Sequence, residues 1–273
     1  MNCDLKEKCK DIRCDIMTCI GHLGVGHIGG CLSIVELLAV LYFQEMNIDP
    51  AQPKMPGRDR LVCSKGHAGP AVYATLANRG YFDKKELLTL NQGGTNLPSH
   101  CDMNLTTGID MTTGSLGQGF SCAVGVALGS KLEDDGATVY AIVGDGESQE
   151  GQVWEAAMFA ASKGLGNLVG FTDYNKLQID GTVAQVNDIA PLADKWAAFG
   201  WNVIDVADGN DVEQVSAVKQ AKANRATGRP TMVILNTLKG CGVKWIEEMG
   251  AGNHNTNVSE EQAKAAIAEI REG

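Results

Sequence analysis

The chain has 273 residues, 44% of them hydrophobic and 21% charged, with a formal charge of −10. That is enough apolar material for one large α/β domain or two small ones, and no run approaches the roughly 18 apolar residues that would cross a bilayer. The acidic balance, without a basic stripe, excludes a general nucleic-acid binder, so any anionic ligand must be held by helix N-termini, glycine-lined turns or a bound cation.

The opening residues, "MNCDLKEKCKD", are charged rather than signal-like, and the nine cysteines contain no CxxC pair. Both features predict a cytoplasmic protein with reduced thiols. Cys9, Cys14 and Cys19 recur every five residues, a spacing that a helix spreads around its surface, which favours helix packing over a metal cluster.

"SIVELLAVLYFQEM" predicts a long helix N-capped by Ser33, with Glu36 as its capping-box partner. "RLVCS" reads as a short buried strand leading into "KGHAGPAVYATLANRG", a helix closed by Gly80. A further helix is expected from Ser115, where Gly117, Gly125 and Gly129 predict close approach by a second helix or another chain. Four β-rich runs follow, "TVYAIVGD", "NLVGFTDYN", "WNVIDVAD" and "PTMVILNT", separated by helical segments. This alternation predicts a doubly wound α/β fold, a mostly parallel sheet with helices on both faces. No linker or repeat divides the chain, so residues 1–273 read as one domain with a short tail after about Asn257.

Two turns carry the chemistry. Asp145 sits between Gly144 and Gly146 just past one strand, and Asn175 sits just past the next, with a helical segment crossing between them. In a right-handed βαβ unit both residues emerge at the carboxyl edge, where open α/β sheets bind ligands. The glycines admit a bulky anion, and one carboxylate with one amide oxygen suits Mg²⁺ held jointly with a phosphorylated ligand. Of five histidines, His27, His67, His100 and His254 fall in polar or glycine-containing loops, which points to a shared site that moves protons near neutral pH; His22 has no assigned role.

"GHIGG", "GRDRLVCSKGHA", "TTGSLGQG", "GDGESQEGQVWEA", "DYNKLQIDG" and "PLADKWAAFGW" together resemble the amino-terminal, diphosphate-binding domain of transketolases, over roughly Gly21 to Gly242. The resemblance implies thiamine diphosphate as cofactor, with Asp145, Asn175 and the main-chain carbonyl of Leu177 as Mg²⁺ ligands. It places Gly144 to Gly146 at the diphosphate, and His67, Gly114, Ser115 and Leu116 beside the diphosphate and aminopyrimidine. Glu150 matches a subunit-interface glutamate that couples paired sites. His27, His67, His100 and His254 would contact cofactor and sugar hydroxyls, with "GNHNTN" and "SHC" departing from the family's usual neighbours at the last two. Arg58 and Arg60 are candidates for a sugar phosphate.

The implied reaction moves a two-carbon ketol unit from a ketose or ketose phosphate to an aldose. In the family, the glutamate beside the aminopyrimidine belongs to the next domain, which this chain lacks. The resemblance therefore implies a split transketolase, completed by a separate chain bearing the pyrimidine-binding and carboxy-terminal domains, most simply with two copies of each. Three alternatives stand beside it: a deoxyxylulose-phosphate-synthase-like subunit, a non-catalytic cofactor-binding or regulatory subunit, and a dinucleotide-binding oxidoreductase. The last lacks a GxGxxG turn after its first strand.

Overall fold

A computed structural model describes residues 4–272; residues 1–3 and 273, included in the single-domain reading, lie outside the described part. Five parallel strands form the central sheet: β1 (Arg60–Cys63), β2 (Val139–Gly144), β3 (Leu168–Tyr174), β4 (Asn202–Val206) and β5 (Thr231–Asn236). Their spatial order is β1-β2-β3-β5-β4. Every residue of β2 is buried. Because side chains alternate across a strand, Tyr140 and Ile142 enter one core while Val139, Ala141 and Val143 enter the other. Such a strand is satisfied only in a sheet covered on both faces, which is the expected α/β architecture.

One face carries α1 (Leu5–Leu23), α2 (Ile28–Leu32), α3 (Val35–Val40) and α4 (Gly69–Arg79). Cys9, Cys14 and Cys19 are buried in α1 as part of this packing. The other face carries α5 (Gln118–Glu133) and α6 (Gly151–Ser162) around Phe120, Trp196 and Trp201, whose ring centroids lie 5.1–5.9 Å apart. No helix among the described residues is long and apolar enough to cross a membrane.

Three local expectations are corrected. The helix expected from Ser33 is broken: Ser33 is the C-cap of α2, and α3 starts at Val35 and runs into a π-helical turn at Leu41–Glu45. Ser33 Oγ donates instead to Asp173 Oδ2 at 2.7 Å, and Glu36 accepts from Arg13 Nη2 at 2.6 Å. Both residues are buried, so tertiary partners take the groups that a capping box would use.

α5 starts at Gln118 rather than Ser115, because Gly117 takes the left-handed conformation at φ 81°. A Cβ there would also stand 3.1 Å from Glu150 Cβ. Gly125 and Gly129 meet nothing within 4 Å and face outward.

The stretch after Asn257 is no trailing tail. It forms α7 (Glu260–Glu272), which lies along α1 and buries Ala263, Ala266 and Ile270. A Cβ on Gly21 would stand 2.4 Å from Ala263 Cβ, so glycine permits this approach. Arg271 adds ion pairs to Glu7 at 3.0 Å and Asp11 at 2.8 Å.

Candidate active site

Gly144 of β2 stands in register with Asp173 of β3, and the Asp145 amide donates to the Asp173 carbonyl at 3.3 Å. The two turns singled out in the sequence are therefore neighbours at the carboxyl edge. They open onto a cavity of about 350 Å³ lined by His67, Leu116, Gly144, Asp145, Gly146, Glu150, Asn175, Leu177 and His254. His27 joins the site from the loop before α2, its ring 5.4 Å from His67, 5.5 Å from His254 and 5.7 Å from His100. Gly114 lies beside His100, and Ser115 is exposed between Gly114 and Leu116. The histidines from distant parts of the chain share one wall, and His22 lies elsewhere, paired with Glu260 at 3.6 Å.

The oxygen donors are held by the turns themselves. Asp145 Oδ1 accepts from the Gly146 amide at 2.7 Å and Oδ2 from the Lys176 amide. Burial, reinforced by the charge of Asp173, pushes the Asp145 carboxyl up to about 7. Asn175 Nδ2 donates to Asp173 Oδ2 at 2.8 Å, which commits the amide nitrogen and leaves Oδ1 as the acceptor. No group of three or more His, Cys, Asp or Glu side chains among the described residues could hold a metal alone. The donor set of one carboxylate, one amide oxygen and one main-chain carbonyl fits a hard cation whose remaining ligands are phosphate oxygens and water.

All four histidines are held neutral. Burial lowers His27 and His100, takes His67 down to about 2 with help from the Lys65 charge, and takes His254 down to about 4 with help from Lys239. Lys239 Nζ lies 3.2 Å from His254 Nδ1. An ammonium can only donate, so this contact makes Nδ1 the acceptor and leaves the proton of neutral His254 on Nε2.

These shifts predict an acid sensitivity. Each imidazole binds a proton more readily unfolded than folded, so its contribution to stability falls as pH drops below the ordinary 6.5, down to about 4 for His254 and about 2 for His67. Asp145 runs the other way, its raised folded value adding stability as pH falls through about 7. Comparing a His67→Asn variant with the parent isolates the histidine part: urea midpoints between about pH 8 and about pH 5 should fall less in the variant. Parallel profiles would contradict the neutral, buried assignment.

Several site residues were not anticipated from the sequence. Lys65, 2% exposed, donates at 2.7 Å to both Gly30 O and Asp173 Oδ2. Asp173, fully buried, also accepts from Ser33, Asn175 and Thr237. Burial opposes both charges, yet the pairing outweighs it, raising the Lys65 pKa and lowering that of Asp173. Lys239 lines the cavity and donates to Leu177 O at 3.1 Å; burial lowers it to about 8. The signals were present as "SKGH" and "NTLKG", lysines just beyond strand ends. Arg58 and Arg60, in contrast, do not line the cavity: they stand at the amino end of β1, opposite the carboxyl edge, where they pair with Asp110 and Asp135.

A parallel sheet presenting a glycine-flanked carboxylate, an amide oxygen and a carbonyl at its carboxyl edge has the frame of a diphosphate-binding domain. A family model described as "Transketolase, thiamine diphosphate binding domain" matches residues 5–270. The chain is 57% identical to the 6-deoxy-6-sulfo-D-fructose transketolase subunit SqwG of Clostridium sp. (strain MSTE9), over 98% of this chain and 96% of that one. It is 37% identical to an apulose-4-phosphate transketolase subunit of Phocaeicola vulgatus, over 90% and 86% of the two chains. The transketolase of Leishmania mexicana superposes with a TM-score of 0.91 at 28% identity, covering 98% of this chain and 41% of that one. The chain belongs to the transketolase family, as an amino-terminal, thiamine diphosphate-binding subunit.

Proposed function

We propose that this chain and a separately encoded partner, bearing the pyrimidine-binding and carboxy-terminal domains, together form a thiamine diphosphate- and Mg²⁺-dependent transketolase working in the cytoplasm. The observation that carries the reading is the convergence of Asp145, Asn175, Leu177 and neutral histidines on one cavity. Support for the division comes from the 57% identical relative, which is itself named a transketolase subunit and is matched over 96% of its length. Exposed apolar side chains at the cavity mouth, Leu116 and Ile179, and on α5 and α6, Leu132, Met158 and Phe159, fit surfaces to be covered by other chains. Gly125 and Gly129 on α5 are exposed, and so is Glu150, the N-cap residue of α6, whose side chain makes no cap hydrogen bond and is free for a contact with another chain. Free cysteines fit a reducing compartment.

In this reading Asp145, Asn175 and the Leu177 carbonyl hold the cation, and the Gly146 amide and Lys239 face the diphosphate. When bound, thiamine diphosphate supplies the electron sink for carbon–carbon cleavage. His254, with its proton on Nε2, donates to a sugar oxygen, while His27, His67 and His100, also neutral, hydrogen-bond the cofactor and sugar hydroxyls as uncharged donors and acceptors. The sugar-facing residues His100 and His254 bear on substrate choice. The high identity to SqwG makes a sulfonated ketose, 6-deoxy-6-sulfo-D-fructose, the leading donor, ahead of a pentose phosphate.

The test is reconstitution. Ketol transfer to an aldose phosphate is measured from 6-deoxy-6-sulfo-D-fructose and from xylulose 5-phosphate, with each of the two chains alone and then mixed, at saturating cofactor and Mg²⁺. The chain alone should be inactive and the mixture active, with the sulfonated donor preferred. Robust turnover by this chain alone would refute the two-chain reading.

A further inference from the structure

Glu147 directly follows the Gly-Asp-Gly turn, is 3% exposed, and has no role in the reading above, on which the following rests. Its carboxylate joins three segments. Oε2 accepts from the Gly144 amide at 3.0 Å, a contact within its own turn. Oε1 reaches across the site to the Gly117 amide at 2.9 Å and to the Ser64 hydroxyl at the end of β1. Ser64 Oγ in turn accepts from the Phe120 amide at 2.8 Å, in the first turn of α5, and a Cβ on neighbouring Gly119 would stand 2.7 Å from Ser64 Cα. One buried carboxylate thus ties the turn at the diphosphate to the Gly114–Leu116 strip and the helix behind it.

We propose that Glu147 is a positioning residue that sets the distance between the diphosphate turn and the strip facing the aminopyrimidine, so that both ends of one cofactor are met at once. The two halves of the carboxylate do separable work. The contact to Gly144 is local and shapes the turn, whereas the contacts to Gly117 and Ser64 fix the strip relative to it. A ligand spanning both parts needs the link, and a ligand confined to the diphosphate turn does not.

Glu147→Asp separates the two cases. The charge is kept, and the shorter side chain stays within reach of its own turn but withdraws from Gly117 and Ser64. In the assembled two-chain protein with Mg²⁺, calorimetry should show thiamine diphosphate affinity falling about 10–100-fold, the range for outer groups that orient a binding set. Inorganic pyrophosphate affinity should be unchanged. Ser64→Ala, which removes one of the two cross-site contacts of Oε1 and the anchor for the Phe120 amide without touching the Gly-Asp-Gly turn, should give the same split in smaller measure and serves if Glu147→Asp does not fold. Equal losses for both ligands would make Glu147 a prop of the turn alone, and no loss for either would remove its role; both overturn the proposal. Failure of the parent protein to bind thiamine diphosphate would instead overturn the cofactor reading, and the proposal with it.

Discussion

Asp145→Ala should abolish detectable Mg²⁺-dependent binding of thiamine diphosphate while leaving the chain folded. As the only carboxylate in the proposed cation set, Asp145 supplies the charge that neither Asn175 nor the Leu177 carbonyl can replace. Its loss should therefore exceed the ~10–100-fold typical of groups one step removed from a metal. Stability should hold, because the carboxylate is buried beside Asp173 and pushed up to about 7, a sign that its charge is resisted by its surroundings. Removing it relieves that repulsion at the expense of acceptors for the Gly146 and Lys176 amides. Calorimetric titration of the assembled enzyme, with a thermal melt of the same sample, checks both halves. Cofactor affinity equal to the parent's would eliminate Asp145 as a ligand.

The second large effect is on stability. Lys65→Met leaves Asp173 buried with no counter-charge, and breaking such a pair from one side costs about 3–5 kcal/mol. Ser33, Asn175 and Thr237 still donate to Asp173, which favours the lower part of that range. The double variant Lys65→Met/Asp173→Asn removes both charges and should recover most of the loss. Urea denaturation of the parent, both single variants and the double variant forms a closed cycle whose coupling energy measures the pair. A loss below about 1 kcal/mol in Lys65→Met would show that the pair is not held as described.

The sheet was legible in the sequence because its three central strands are buried almost throughout and bounded by turn residues, and that pattern has few solutions other than a doubly covered parallel sheet; the edge strand β4, with Asn202 and an exposed Asp205, carries less of the signal. The two turns at Asp145 and Asn175 were legible for the same reason: they follow strand ends, and strand ends of neighbouring parallel strands meet. Burial partners were not legible. Ser33 and Glu36 have the spacing of a capping box, but their hydrogen bonds run to Asp173 and Arg13, which are distant in sequence. Lys65 looked like an ordinary charged residue, and only the carboxylate waiting on β3 makes its burial possible. The last helix was missed although Ala263, Ala266 and Ile270 repeat at helical spacing, because small apolar residues among many charges announce a packing face only when the opposing surface, here Gly21, is known.

That clasp of α1 by α7 also orders events during synthesis. The contacts of Arg271 with Glu7 and Asp11 span 264 and 260 residues, and Val25 and Gly26 find their strand partners only at Asn257 and Thr256. At ribosomal rates of roughly 5–20 residues per second, α1 waits on the order of ten to fifty seconds for α7. Throughout that interval the face around Gly21 has no native cover. Until then the nascent chain is open to chaperones, and to mispairing with its neighbours on a polysome, along that face of α1.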